Sequence, residues 1–136
     1  MKEEFVSYEI AKKLREKGFK ERCVAHYYPS SSELVFNQTA FRGAIVEDCL
    51  YSYNSLPIEC FGSDLIDAPT ISQVLGWLRE EKTLHVYVEY VFSETSIWIC
   101  EVQLVGSYER FYPPEDYETY EEAVIACIEY VLDNLL

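Results

Sequence analysis

The sequence predicts an α+β fold: one domain over residues 1–136, built on an antiparallel sheet of about four strands with helices packed on one face. Three observations carry this. Between Ala68 and Phe92 the apolar period changes. Ile71, Val74, Leu75 and Leu78 recur at helical spacing, and then Leu84, Val86, Val88, Tyr90 and Phe92 alternate with His85, Tyr87, Glu89 and Val91. A second alternating run, Ile97 to Val105, points Trp98, Cys100, Val102 and Leu104 to one side. The C-terminal stretch then places Tyr120, Ala123, Val124, Cys127, Ile128, Val131 and Leu132 on one helical stripe.

In chain order, Ser7 caps a first helix, Tyr8 to Lys17, whose stripe is Ile10, Ala11 and Leu14. Gly18 stands where a left-handed residue ends a helix, and Phe19 stands where it can pack back on Leu14, so Gly18 is expected at positive φ. Arg22 to Tyr28, the turn cluster Pro29-Ser30-Ser31-Ser32 and Glu33 to Asn37 read as a β-hairpin. Residues 38–67 are ambiguous. Ile45, Val46, Cys49, Leu50 and Tyr53 are spaced for a helix, Gly43 and the tyrosines leave a strand open, and 54–57 and 62–64 read as loop. Thr70 and Gln73 have capping-box spacing, with Trp77 bordering the helix stripe that follows. Residues 93–96 read as a hairpin turn, and Tyr108 to Tyr117 as a polar, aromatic loop containing Pro113-Pro114. Thr119 and Glu122 form a second capping box. The two earlier helices share the ending Leu-Arg-Glu at an offset of 64 residues (Leu14-Arg15-Glu16, Leu78-Arg79-Glu80), which is compatible with a duplicated helix–strand–strand unit.

A chain of 136 residues can bury a core without staples. No apolar run is long enough to span a membrane, and the acidic start, Glu3-Glu4, does not fit a signal peptide, so a cytoplasmic setting is expected. Five unevenly spaced cysteines suit reduced thiols better than a disulfide framework, with Cys100 and Cys127 expected buried and unbridged.

Charge is the most unusual bulk property. The net value is −13, but residues 1–22, with seven basic and five acidic side chains, carry +2, so residues 23–136 carry −15. Such a surface repels nucleic acid and anionic membrane and attracts a basic protein.

The segments Ala68-Pro69-Thr70, Trp77-Leu78-Arg79-Glu80-Glu81 and Tyr120-Glu121-Glu122-Ala123, with the acidic loop, resemble a group of small uncharacterised proteins of bacterial prophages and related mobile elements of gut bacteria. The likeness runs from Glu4-Phe5-Val6-Ser7-Tyr8-Glu9 to the C-terminal helix and is thin over 38–67. It implies an intracellular bacterial or phage setting, and it carries no activity, cofactor or catalytic residue.

Catalytic signatures are sparse. His26 follows Cys23 at Cys-x-x-His spacing, but residues three apart on a strand face opposite ways, so both histidines read as ordinary half-exposed side chains and no metal is expected. Cys60, beside Glu59, has no visible activator. The acid pairs Glu80-Glu81, Glu115-Asp116 and Glu121-Glu122 lack an evident apolar pocket to tune one member. There is no phosphate-cradling or dinucleotide glycine motif, so no cofactor is expected. The reading that remains is a non-catalytic accessory protein that binds a basic partner through Tyr108, Tyr112, Glu115, Asp116 and Tyr117. The alternative is an acidic inhibitor that mimics nucleic acid and occupies a basic cleft. A hydrolase using a carboxylate or Cys60 is the least favoured class.

Overall fold

A computed structural model describes residues 4–47, 49–57, 59–60, 62, 64–92, 96–113 and 115–136. Among the described residues three α-helices and eight strands, all paired antiparallel, make an α+β fold. Among the described residues the strands are shared among sheets of three, two and three, rather than gathered in one sheet of four. The contacts group the chain into two compact units, Met1–Ile71 and Ser72–Leu136.

In the first unit, α1 (Tyr8–Glu16) starts at Ser7, whose Oγ accepts from the Ile10 N–H at 3.3 Å. Ile10, Ala11 and Leu14 are buried, as the spacing requires. The helix ends as expected. Gly18 has φ +90°, its N–H bonds the Arg15 carbonyl, and the Phe19 N–H reaches back to Leu14. Phe19 is fully buried. The hairpin follows as β1 (Ala25–Tyr28) and β2 (Glu33–Phe36), and β5 (Ile66–Asp67) pairs with the other edge of β1. Helix α1 packs against β5.

Residues 38–47 resolve the ambiguity in favour of strands. β3 (Gln38–Phe41) and β4 (Ala44–Glu47) form a two-stranded ribbon joined by Arg42 (φ +51°) and Gly43 (φ +82°). Two consecutive positive φ values make the tight turn whose twist matches a hairpin. The helical spacing of Ile45 and Val46 is therefore incidental, and both side chains are exposed. Tyr53–Ser55 is a single 3-10 turn.

Two buried polar side chains tie these segments together. Asn37 donates to the carbonyls of Cys23 (2.8 Å) and Cys49 (2.9 Å), so its Oδ1 faces His26 Nδ1 at 2.6 Å and accepts from it. His26 is thus buried, not half-exposed as expected, because Asn37 supplies a partner inside the fold. Its Nε2 has no hydrogen-bond partner among the described residues, and its ring packs edge-on against Tyr28 and Tyr53. Asp67, opposite His26 on β5, is fully buried and receives the N–H groups of Tyr53 (3.0 Å) and Asn54 (2.9 Å) on its two oxygens. Asn54 completes the stitch by accepting from the Asp67 N–H (3.3 Å) and donating to the Phe19 carbonyl (3.0 Å).

The second unit contains α2 (Ile71–Glu81), β6 (Leu84–Phe92), β7 (Ser96–Leu104), β8 (Arg110–Phe111) and α3 (Tyr120–Asn134). On α2 the buried residues are Val74, Trp77 and Leu78. Trp77 therefore takes the centre of the stripe, while Ile71 and Leu75 stay partly exposed, and Lys82 holds its ammonium 5.3 Å from the Trp77 ring. β6 and β7 pair over their full lengths, Leu84 opposite Leu104 and Phe92 opposite Ser96. Of the turn expected at 93–96, Ser96 instead opens β7 opposite Phe92, and 93–95 lie outside the described residues. Helix α3 is capped as expected, the Glu122 N–H donating to Thr119 Oγ1 at 3.1 Å, and packs on β6 and β7. Both units run helix–strand–strand, but the paired strands have four residues in one and nine in the other.

Two outcomes test these constraints. Gly18→Ala forces a Cβ into the left-handed region and is expected to lower unfolding free energy by about 1 kcal/mol in a denaturant titration. Burial holds the Asp67 carboxyl above the ordinary carboxylate range, against the opposing pull of the Asn54 and Tyr53 amides and the His26 and Arg15 charges. In the window from about pH 4 up to that raised value the native state holds more protons than the unfolded one, so stability falls as pH rises. Asp67→Asn is expected to remove this slope. It is also expected to cost about 1–3 kcal/mol at neutral pH, because one backbone N–H then faces an amide.

Candidate functional site

Alternation along β6 and β7 sends Leu84, Val86, Val88, Tyr90 and Phe92 to the same face as Leu104, Val102, Cys100 and Trp98. Helix α3 covers this face only in part. Leu84, Cys100 and Val102 are buried against the stripe from Ala123 to Leu132. Beyond the first turn of α3 the cover ends. Tyr120, expected in the buried stripe, is 46% exposed and meets the Trp98 ring edge-on at 5.5 Å. Trp98 in turn lies 5.0 Å from Tyr90, its cross-strand partner. Phe92, two residues on along the same face, is 75% exposed. Tyr90, Trp98, Tyr120 and Phe92 thus form one aromatic strip at the free end of the hairpin.

The loop expected to carry the site is laid along β7 and pinned at two places. β8 pairs Phe111 with Val102 and Arg110 with Gln103, and Arg110 reaches Glu101 at 3.0 Å. Further on, Tyr117 pairs with Trp98 through two backbone bonds of 2.7 and 2.8 Å. Between these two pins the loop has five residues against three of β7.

This pinning separates the five residues expected to act together. Tyr108 is 100% exposed at the turn after β7, where Leu104 bonds Glu109. Tyr117 is six strand positions away, roughly 20 Å at about 3.3 Å per residue. Tyr112 is exposed between the two pins, and Glu115 and Asp116 are exposed as well. Tyr117 is half-buried, and its phenol is pushed up by burial and by the nearby Cys100 and Glu115. Its role is to anchor the loop rather than to offer a free ring. Glu115, Asp116 and Tyr117 are brought beside Trp98 and Tyr120, and Tyr108 is not. Alternation in the sequence assigns Tyr90, Phe92 and Trp98 to the apolar faces of their strands and does not set them apart from the buried residues there. The signal that marks them is the helix start at Thr119, which leaves the far end of the strands uncovered.

Exposed acids surround the strip in sequence: Glu115, Asp116 and Glu118 before α3, and Glu121 and Glu122 in its first turn. No basic residue occurs between Phe111 and Leu136.

The groups considered for chemistry lie elsewhere. Cys100 and Cys127 are buried and unbridged, as expected. A hydrogen bond between the two sulfurs holds the Cys100 thiol below its ordinary value and pushes Cys127 up. Cys23 donates to the Glu21 carbonyl at 3.6 Å and His26 to Asn37, so the Cys-x-x-His pair shares no ligand. Cys60 is exposed in a turn closed by its N–H on the Pro57 carbonyl, and His85 is half-buried opposite Gln103. Among the described residues no three His, Cys, Asp or Glu side chains converge to hold a metal ion, and no helix is long and apolar enough to cross a membrane. Compared with protein-family models, curated proteins and solved structures, the chain shows no match.

Burial controls the thiols more than acidity does. In the native state Cys60 is expected to react with a thiol reagent within the mixing time, and Cys100 and Cys127 only on unfolding. Mass mapping of the modified sites over time checks this, and fast native labelling of Cys100 would show that α3 opens readily.

Proposed function

We propose that the chain is a non-catalytic accessory protein, in a cytoplasmic, phage-like setting, that binds a basic protein through the strip Tyr90, Trp98, Tyr120 and Phe92. The observation that carries this reading is an aromatic set at the end of a sheet, with exposed Tyr90 and Tyr120 packed on half-buried Trp98, exposed Phe92 further along the same face, and acids next to Tyr120 in sequence. Aromatic residues in a shared, partly desolvated cluster are the groups that dominate interface energetics. The acids bring in a partner of opposite charge and the aromatics retain it. The narrower reading, a mimic of nucleic acid, calls for carboxylates at phosphate-like spacing around a polar centre. An aromatic centre favours the general protein contact.

Selection of a random peptide library on the intact chain is expected to enrich Lys- or Arg-rich sequences around an apolar anchor. For a selected peptide, Tyr90→Ser with Phe92→Ser is expected to lower affinity at least about tenfold, mainly through faster dissociation. Glu115→Gln with Asp116→Asn is expected to slow association and flatten the salt dependence, since the Debye length falls from about 10 Å at 0.1 M to about 3 Å at 1 M. Peptides with no basic bias, or affinity that survives loss of both Tyr90 and Phe92, would overturn the reading.

A further inference from the structure

The first unit holds a cleft of opposite chemistry. It has a volume of about 560 Å³ and is lined by Lys20, Arg22, Leu50, Tyr51, Ser52, Ser55 and Leu56. None of these is acidic, in a chain with 24 acidic residues. One wall is the segment leaving α1, where Lys20 and Arg22 are exposed. The other presents Leu50, 62% exposed, and the Tyr51 ring, 44% exposed.

The walls are held in place by bonds across the cleft floor. Cys23 and Tyr51 exchange two backbone bonds of 2.9 and 3.0 Å. Ser52 Oγ donates to the Lys20 carbonyl at 2.8 Å, and the Ser55 hydroxyl lies 2.7 Å from Ser52 Oγ. The Tyr51 ring is backed by Tyr53 at 4.6 Å, and Tyr53 by the buried His26 at 4.9 Å. The serines therefore serve the wall, and the lining groups left to meet a ligand are Lys20, Arg22, which also interacts within the chain, and the Tyr51 ring with its neighbouring leucines.

We propose that this cleft binds a small phosphorylated ligand with a planar apolar body, its phosphate on Lys20 and Arg22 and its planar part on Tyr51 and Leu50. Two cations lining one wall suit a group carrying nearly two negative charges better than a single carboxylate. A guanidinium takes two phosphate oxygens at once, and the ammonium adds a point charge. A tyrosine face stacks on a base or similar ring without regard to its hydrogen-bonding edges. The volume falls within the roughly 300–1,000 Å³ of small-molecule sites.

The probes are AMP, adenosine and inorganic phosphate, titrated into the full chain by calorimetry. AMP is expected to bind at least about tenfold more tightly than either fragment, because both contacts act together. Lys20→Gln and Arg22→Gln, each checked for an unchanged thermal melt, are expected to weaken AMP binding by about tenfold. Tyr51→Leu, which keeps the backbone bridge to Cys23, is expected to reduce AMP to the affinity of phosphate and leave phosphate unchanged. If Arg22→Gln fails to fold, Lys20→Gln and Tyr51→Leu decide the matter. Absence of AMP binding at millimolar concentration, or binding indifferent to Lys20 and Tyr51, overturns the proposal. Equal affinity for AMP and phosphate overturns the planar part of it.

Discussion

A fully buried carboxylate holds the irregular half of the first unit together. Asp67 accepts two backbone N–H groups from the 53–55 turn, and Asn54 in return bonds the Asp67 amide and the Phe19 carbonyl. Three segments far apart in sequence are thereby fixed to one another with little regular structure between them. A buried charge is tolerated only where its oxygens are satisfied, and here the turn's otherwise unpaired amides do that. Asn37 acts in the same way one strand over, joining Cys23, Cys49 and His26. The cleft beside Lys20 and Arg22 depends on this stitching, since its two walls are the segments that Asp67 and Asn54 bring together.

The second unit is held by ordinary means, and its interest lies where they stop. Strands β6 and β7 stay paired to Phe92, but α3 begins at Tyr120, so the apolar stripe ends before the strands do. The hairpin face beyond that point carries aromatic side chains because strand alternation continues there, and they pack on one another for lack of a helix above them. Pinning Tyr117 to Trp98 adds the acids of the loop to the edge of this strip. The functional reading follows from that mismatch in length.

The charge asymmetry along the chain corresponds to two surfaces of opposite kind. Basic side chains concentrate in the first 22 residues, and two of them line the cleft. The strongly negative remainder includes the acids bordering the aromatic strip. A net charge of −13 conceals this division, which appears once the charges are placed on particular elements.

What the sequence alone determined is whatever acts within one turn of helix or along one strand. Caps at Ser7 and Thr119, the Leu14–Gly18–Phe19 ending, the alternation of β6 and β7 and the burial of Cys100 and Cys127 are all written in spacings of two to eleven residues. The tertiary structure alone decided the rest. Residues 38–47 form a hairpin because Arg42 adopts positive φ before Gly43, a choice that Asn or Asp would have announced and arginine does not. His26 is buried because Asn37, eleven residues away, is held by two carbonyls to receive its proton. Tyr108 parts from Tyr117 because β7 pairs with the loop between them. The cleft joins residues 20–22 to 50–56, and the strip joins 90 to 98 and 120. Such contacts depend on which elements pair and on where each cover ends. These outcomes are settled by burying area and satisfying polar groups over the whole fold, and no local spacing records them.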